Sequence, residues 1–298
     1  MGKTVRKVRV MINPRSGPMS VLGRLYQVFE KNWNVEGVDL TYQISRSAED
    51  GREKARRAIE DGVDTIFVAG GDGVVNSIGG VLVGSDTALA VIPTGSGNGF
   101  ARHFGISLNC SEAIASYVNS ERRAIDVGTV NGKPFFVTAS MAWDAALVKH
   151  FEKSPMRGVL PYVFSAVYGY FEYVPQPVDL EFEDGEQLRF DKPLILTVAN
   201  LTQYGGGAII APNAHADDGL LELVAIPKSA ANVFSSLPHL FDGTLTDNKS
   251  VTTRSFSTLK VKREKPAPVQ LDGELMDADA DIEISLMPKT LNVLIPSA

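Results

Sequence analysis

The sequence holds one cysteine, Cys110, in 298 residues. No disulfide can close within the chain, a multi-cysteine zinc site is excluded, and a reducing cytoplasm suits such a composition. Basic charge is also scarce: 29 lysines and arginines stand against 35 acids, for a formal net charge of −6. Broad nucleic-acid binding carries a basic footprint, which is missing here. The same deficit argues against electrostatic attachment of the whole protein to anionic lipid and leaves only a local basic patch open. The four histidines, His103, His150, His215 and His239, show no HxH or HExxH spacing, which argues against zinc. There is no GxSxG elbow, no GxxxxGK[ST] loop and no GxGxxG fingerprint. Long apolar runs are missing as well. "GVLPYVFSAVYGYF", residues 158–171, is 14 residues long, short of the roughly 18 that span a bilayer. The opening "MGKTVRKVRVMINPRSG" has too short an apolar part for a signal peptide. It carries Arg6 where a myristoylation signal wants Ser or Thr. These features together predict a soluble protein.

What the chain does contain changes character partway along. "KVRVMIN" (7–13), "DLTYQIS" (39–45), "DTIFVAG" (64–70) and "TALAVIP" (87–93) read as strands. Between and after them lie "MSVLGRLYQVFEKNW", with Leu22, Leu25, Val28 and Phe29 on one face, the charged amphipathic "AEDGREKARRAIEDG", a helix from about Val74 to Val83, and a helix opening at "NGFARHFGI". This βαβα rhythm predicts a parallel sheet covered by helices. Beyond about Asp126 come short strands divided by turn signals such as Asn131-Gly132 and Asp184-Gly185, which predict an antiparallel sheet or sandwich. Helical pieces are expected near residues 145–173 and 229–241. The final "LNVLIP" is strand-like and returns to the first domain in this reading.

Two glycine loops follow neighbouring predicted strands: Gly70-Gly71-Asp72-Gly73 and "PTGSGNGFA" (93–101). In an open α/β sheet, ligands bind outside the carboxyl ends of the strands. Glycine allows positive φ and close backbone approach, and helix N-terminal amides attract phosphate oxygens. One such loop is as well explained by a tight strand–helix turn; two in succession favour phosphate. Asp72 then stands beside phosphate as a carboxylate that a divalent cation makes tolerable. Alone, it would read as a turn-forming Asp before Gly.

Five stretches in order carry a resemblance: "INPRSG" (12–17), "GGDGVVN" (70–76), "PTGSGN" (93–98), "APNAHADDGLLEL" (211–223) and "LDGE" (271–274). The sequence resembles, over nearly its whole length, the diacylglycerol kinase catalytic-domain family, which includes bacterial diacylglycerol kinases, YegS-type lipid kinases, and sphingosine and ceramide kinases. The resemblance implies an α/β plus all-β fold: a three-layer α/β nucleotide-binding domain over 1–125, to which residues about 289–298 return, and an antiparallel β-sandwich-like lipid domain over 126–288, with the active site in the cleft between. It implies ATP and Mg²⁺. Asn13, Ser45, Gly70, Gly71, Asp72, Gly73, Val74, Val75, Asn76, Gly95, Ser96 and Gly97 match nucleotide-contacting positions. Glu274, with Asp272 beside it, matches the acid that activates the lipid hydroxyl, and Asp72 joins them as a catalytic candidate. Asp218, the backbone of Leu220 and that of His215 match a structural magnesium site, with Asp126 a supporting acid. The chain departs from the family pattern at Val74, where many members have Thr, at Ser77, where many have Glu, at Ser96, where many have Thr and the hydroxyl is kept as in the sphingosine-kinase pattern, and at Gly99, where many have Asp.

Bland readings stand beside these. "LDGEL" alone is a hairpin turn, and "ADDGLLEL" alone is a turn with a solvated acid pair. As chemistry, a carboxylate suits proton removal from an alcohol, and adjacent acids with an exposed carbonyl suit a hard cation. The Tyr- and Phe-rich stretch 156–174 reads first as a core helix, and second as a lipid-facing one. The expected activity is transfer of the γ-phosphate of ATP to a lipid hydroxyl, diacylglycerol first, with sphingoid base, ceramide or phosphatidylglycerol as alternatives. An NAD kinase, which shares a GGDG loop, and a catalytically silent nucleotide-binding regulator are the readings from other classes. A transient membrane-surface contact, a cytoplasmic location peripheral to the inner face of the membrane, and no nucleic-acid partner complete the expectation; a homodimer is compatible with it.

Overall fold

A computed structural model of the chain describes residues 5–13, 19–143, 173–229, 231, 236 and 238–297. The expected helix near 145–173 lies outside these residues apart from its last position, the stretch 158–171 lies wholly outside them, and so do all of 156–174 except the final two, much of 229–241 and residues 14–17 of "INPRSG". The chain divides into two compact units: Met1–Val127 with Gly205–Gly207 and Pro288–Ala298, and Gly128–Tyr204 with Ala208–Met287.

The first unit is built on β1 (Arg6–Ile12), β2 (Val38–Ile44), β3 (Thr65–Gly70) and β4 (Ala88–Pro93), which pair in parallel in the order β2-β1-β3-β4. Helices α1 (Met19–Trp33), α2 (Ala48–Glu60), α3 (Asp72–Leu82), α4 (Gly99–His103) and α5 (Cys110–Ser116) connect and cover the sheet. Every residue of β3 and β4 is buried, as strands covered on both faces require. Phe67 meets Phe29 and Trp33 of α1, and also Tyr117. Strand alternation sends Ile66 and Val68 to the opposite face. Leu25, Phe29 and Trp33, four residues apart, form the buried stripe of α1. Ser47 caps α2 by accepting from the Asp50 amide at 3.1 Å.

The second unit is antiparallel. β5 (Ser120–Val130) runs into it from the first unit and is followed by β6 (Lys133–Phe135), β7 (Thr138–Ser140), β8 (Val178–Phe182), β9 (Gln187–Phe190), β10 (Pro193–Ala199), the short β11 (Gln203–Gly205) and β12 (Ala208–Ile209), β13 (Leu221–Pro227), β14 (Thr252–Phe256), β15 (Thr258–Arg263), β16 (Val269–Leu271), β17 (Glu274–Met276) and β18 (Asp281–Pro296). One sheet has the order β14-β13-β10-β7-β16-β17, and β18-β15-β8-β9 run in the other. Between them lies one core, with Val198, Leu221, Leu223 and Phe256 from the first sheet against Leu180, Val261, Ile282 and Ile284 from the second. This is a β-sandwich.

Three elements differ from the sequence reading. α3 starts at Asp72 rather than Val74, because Gly71 is already its N-cap. "GFARH" makes only a short helix, and α5 follows it with an Asn109 cap that accepts from the Ser111 amide. "DIEISLMP" and "LNVLIP" are one strand, β18. Pro288-Lys289 interrupts its pattern, and Lys289 takes a left-handed φ of 52°. Its amide is held at 2.7 Å by Asp126 Oδ1. The distal part of β18 pairs in parallel with β4 at Val293 and Leu89.

Candidate functional site

The two glycine loops emerge side by side, because β3 and β4 pair in register through Gly70 and Pro93. The Thr94 amide then donates to the Gly70 carbonyl at 3.1 Å. Beyond that point the loops touch backbone to backbone. A Cβ on Gly95 would lie 2.5 Å from Gly71 Cα, and one on Gly71 would lie 3.1 Å from Gly95 Cα. The loop–loop approach itself therefore excludes a side chain at Gly95 and crowds one at Gly71. Gly70 is constrained differently: its Cβ would lie 2.6 Å from that of Val74, which occupies the space. Val75 is buried in α3, and Gly73 and Asn76 lie in its first turn and a half.

Asp72 is the fastener of this pair. Its Oδ2 accepts from the Gly99 amide at 3.0 Å and its Oδ1 from the Phe100 amide at 3.1 Å. The carboxylate of one loop thus caps the helix that leaves the other, where amide donors lack intrahelical partners. Asn98 closes the second loop on itself. It sits in left-handed backbone with φ 53°, which Asn tolerates better than most residues. Its side chain accepts from the Gly95 amide at 3.0 Å and donates to the Gly95 carbonyl at 2.8 Å. Gly97 lies against Asp72: a Cβ there would be 3.1 Å from Asp72 Oδ2. Ser96 is exposed at the loop tip. Ser45 is at the carboxyl end of β2, its amide and hydroxyl both directed to the Ile12 carbonyl, at 2.9 and 3.4 Å. Asn13 follows at the end of β1. The structure therefore gathers the ends of β1 and β2, and the two loops after β3 and β4, on one edge of the parallel sheet.

Sequence reasoning missed three contributors here. Arg102 Nε donates to the Gly97 carbonyl at 3.1 Å. Gly205, Gly206 and Gly207 count with this unit and all take positive φ, at 123°, 63° and 94°. A Cβ on Gly97 would be 3.8 Å from Gly205 Cα, and one on Gly207 would be 3.5 Å from Arg102 Nη1. Asn98 is the third. Three consecutive glycines in "YGGGA" were the available signal for this segment, and the first basic residue since Arg57 was the signal for Arg102.

In the second unit, "LDGE" is the two-residue turn between β16 and β17, with Leu271 opposite Glu274. Asp272 and Gly273 have φ of 48° and 94°, the double positive φ of a type I′ hairpin. The two acids then part company. Asp272 is buried and accepts three consecutive amides, Phe136 at 2.7 Å, Val137 at 2.8 Å and Thr138 at 3.0 Å. Its own amide donates to the Thr138 carbonyl at 3.0 Å. Glu274 is exposed.

The residues matched to a metal site fall in both units. His215, Asp218 and Leu220 belong to the second, and Asp126, fully buried on β5, belongs to the first. Asp218 Oδ1 accepts from the Leu220 amide at 3.0 Å, in a tight turn around Gly219, whose φ is 81°. Glu222, two residues beyond Leu220, has its carboxyl pushed up by burial, with Asp218 adding to the rise and the Ser255 hydroxyl and His215 opposing it. Among the described residues no group of three or more His, Cys, Asp or Glu side chains is placed to hold a metal ion. A cation here would take one carboxylate, backbone carbonyls and water. That donor set fits Mg²⁺, which keeps several waters.

Comparison with known proteins gives the family. Residues 7–130 match the diacylglycerol kinase catalytic domain, and residues 137–295 match the YegS C-terminal NAD kinase beta sandwich-like domain. A diacylglycerol kinase of Mycobacterium tuberculosis is 30% identical over 306 residues, covering 98% of this chain and 96% of that protein. A Chromohalobacter salexigens protein named "Probable lipid kinase YegS-like" is 30% identical over 276 residues, covering 87% and 85%. The fold is also that of a crystal structure of a diacylglycerol kinase from Bacillus anthracis, with a TM-score of 0.74 at 18% identity and coverage of 100% and 98%. The chain belongs to the diacylglycerol kinase catalytic-domain family of lipid kinases.

Proposed function

We propose that the protein transfers the γ-phosphate of ATP to the hydroxyl of a membrane lipid, with diacylglycerol the first acceptor. The observation that carries the acceptor is the end-to-end likeness to the M. tuberculosis diacylglycerol kinase. Support for the donor comes from the paired glycine loops after β3 and β4, which stand at the carboxyl ends of two neighbouring parallel strands, where an open α/β sheet binds its ligands. In this reading the first unit takes ATP through Asn13, Ser45, residues 70–76 and residues 95–97, and the second unit takes the lipid.

An alcohol is a weak nucleophile, so its proton must leave as the oxygen attacks phosphorus. Glu274 is the group assigned to accept that proton. The new bond forms from the lipid oxygen to the γ-phosphorus, and the bond from that phosphorus to the bridging oxygen of ADP breaks. Asp272, with three amides on its carboxylate, has the duty of holding the hairpin. Asp72 acts by fixing the two loops against each other. Mg²⁺, when bound, neutralises phosphate charge; a second, structural ion is assigned to Asp218 with the carbonyls of His215 and Leu220. Among the described residues no helix is long and apolar enough to cross a membrane. Access to a bilayer lipid in this reading is by transient surface contact from the cytoplasmic side.

The test is incubation of purified protein with labelled ATP, Mg²⁺ and separate panels of diacylglycerol, sphingoid base, ceramide, phosphatidylglycerol and NAD. Label in phosphatidic acid supports the proposal. Label in another lipid moves the acceptor, label in NAD alone overturns the lipid reading, and ATP binding without any transfer identifies a silent regulator.

A further inference from the structure

The nucleotide reading leaves a charge problem. ATP carries several negative charges, yet the sequence has no lysine or arginine between Arg57 and Arg102. That span contains both glycine loops, and the one acid within the loops, Asp72, spends its carboxylate on amides. Neither loop supplies a cation.

Arg102 is placed to supply it. It lies one turn into α4, directly after the "PTGSGN" loop, and its Nε is fixed at 3.1 Å on the Gly97 carbonyl. This anchoring orients the planar guanidinium, which presents five N–H donors in a fixed fork. Among the described residues, no acceptor is matched to its Nη1 or Nη2. Nη1 lies beside Gly207. A Cβ on Gly207 would sit 3.5 Å from Nη1 and 3.9 Å from Cζ. At φ 94° that position is strained for any side chain. Glycine there leaves the flank of the guanidinium uncovered.

We propose that Arg102 is a phosphate-binding and positioning residue of the nucleotide site. Its Nε sets the height of Gly97 in the loop, and its Nη groups pair with nucleotide phosphate oxygens. Such pairing would be a charge-assisted, bidentate contact, for which arginine is better suited than lysine. The proposal rests on the ATP reading above and adds the cation that the loops lack.

The experiment measures equilibrium binding of ATP and of adenosine to wild-type protein and to Arg102→Gln and Arg102→Lys, each first shown to keep the wild-type circular dichroism and melting profile. Arg102→Gln is expected to weaken ATP by about 10- to 100-fold, the range for a lost hydrogen bond to a charged group, and to leave adenosine unchanged. Arg102→Lys is expected to recover part of the ATP affinity. Unchanged ATP affinity in Arg102→Gln overturns the proposal. So does an equal loss for ATP and adenosine, which assigns Arg102 to loop integrity alone. Wild-type protein that binds neither ligand overturns the nucleotide reading itself, and that outcome is distinct from the other two.

Discussion

Asp72 and Asp272 are both aspartates followed by glycine in a glycine-marked loop, one in each unit, and both give their carboxylates to backbone amides. They differ in what the amides belong to. Asp72 reaches 27 and 28 residues along the chain, to the helix start of a neighbouring loop, so it joins two loops at one sheet edge. Asp272 reaches back more than 130 residues, to the consecutive amides of Phe136, Val137 and Thr138, so it pins a hairpin onto the middle of a sandwich. The first fastening holds two loops together at the sheet edge to which the proposal assigns the nucleotide. The second frees nothing at Asp272 itself but fixes where the next acid, Glu274, is displayed. An Asp-Gly pair in a functional motif is thus not by itself a catalytic acid; the partners of the carboxylate decide.

The comparison breaks most visibly at Glu274. Glu274→Gln is expected to lower kcat by about 10²–10⁴-fold, the usual loss of a general base, with ATP affinity and melting temperature unchanged. Steady-state kinetics with saturating lipid would check this. Next in size is Asp272→Ala. Three amides lose a buried acceptor, at a cost on the order of 3 kcal/mol, and urea unfolding should show the midpoint shift. The first unit should respond to smaller changes. Asp72→Ala removes a helix cap worth about 0.5–2 kcal/mol and should raise the Kd for ATP as the loops part. Asp72→Asn keeps one acceptor and turns an NH₂ toward the other amide. It should retain the fold and lose turnover chiefly through ATP binding, measurable by nucleotide titration. Gly95→Ala should do the same without touching any carboxylate, because its Cβ would lie 2.5 Å from Gly71 Cα. Ser96→Ala comes last. The residue is exposed at the loop tip, so stability should stay within about 0.5 kcal/mol while ATP affinity drops by the worth of one hydroxyl.

Much of this was legible in the sequence, and the reasons are local. The nearly all-apolar "TIFVA" and the apolar "ALAVI" read as strands covered on both faces, and the glycines after them announced loops. The turn chemistry of "LDGE" announced the hairpin. What stayed hidden depended on distance. Nothing near Asp72 indicates that its oxygens serve Gly99 and Phe100, and nothing near Asp272 points to Phe136. Gly71 and Gly95 looked like openings for phosphate, whereas their first constraint is each other. The unity of β18 was masked by Pro288-Lys289, since a left-handed residue in a strand breaks the alternation that reveals one. Arg102 carried no motif; the reading proposed for it rests on the Gly97 carbonyl it holds and on the lack of lysine or arginine from position 58 to 101 of the sequence.

The most direct test compares the two acids of the hairpin in one assay. Glu274→Gln and Asp272→Asn are purified together, the folded fraction of each is measured by chemical denaturation, and transfer of label from γ-labelled ATP to diacylglycerol is read per folded molecule. The account predicts a stable but inactive Glu274→Gln protein, and an Asp272→Asn protein that is less stable yet active per folded molecule. An active Glu274→Gln beside a stable, inactive Asp272→Asn would contradict it.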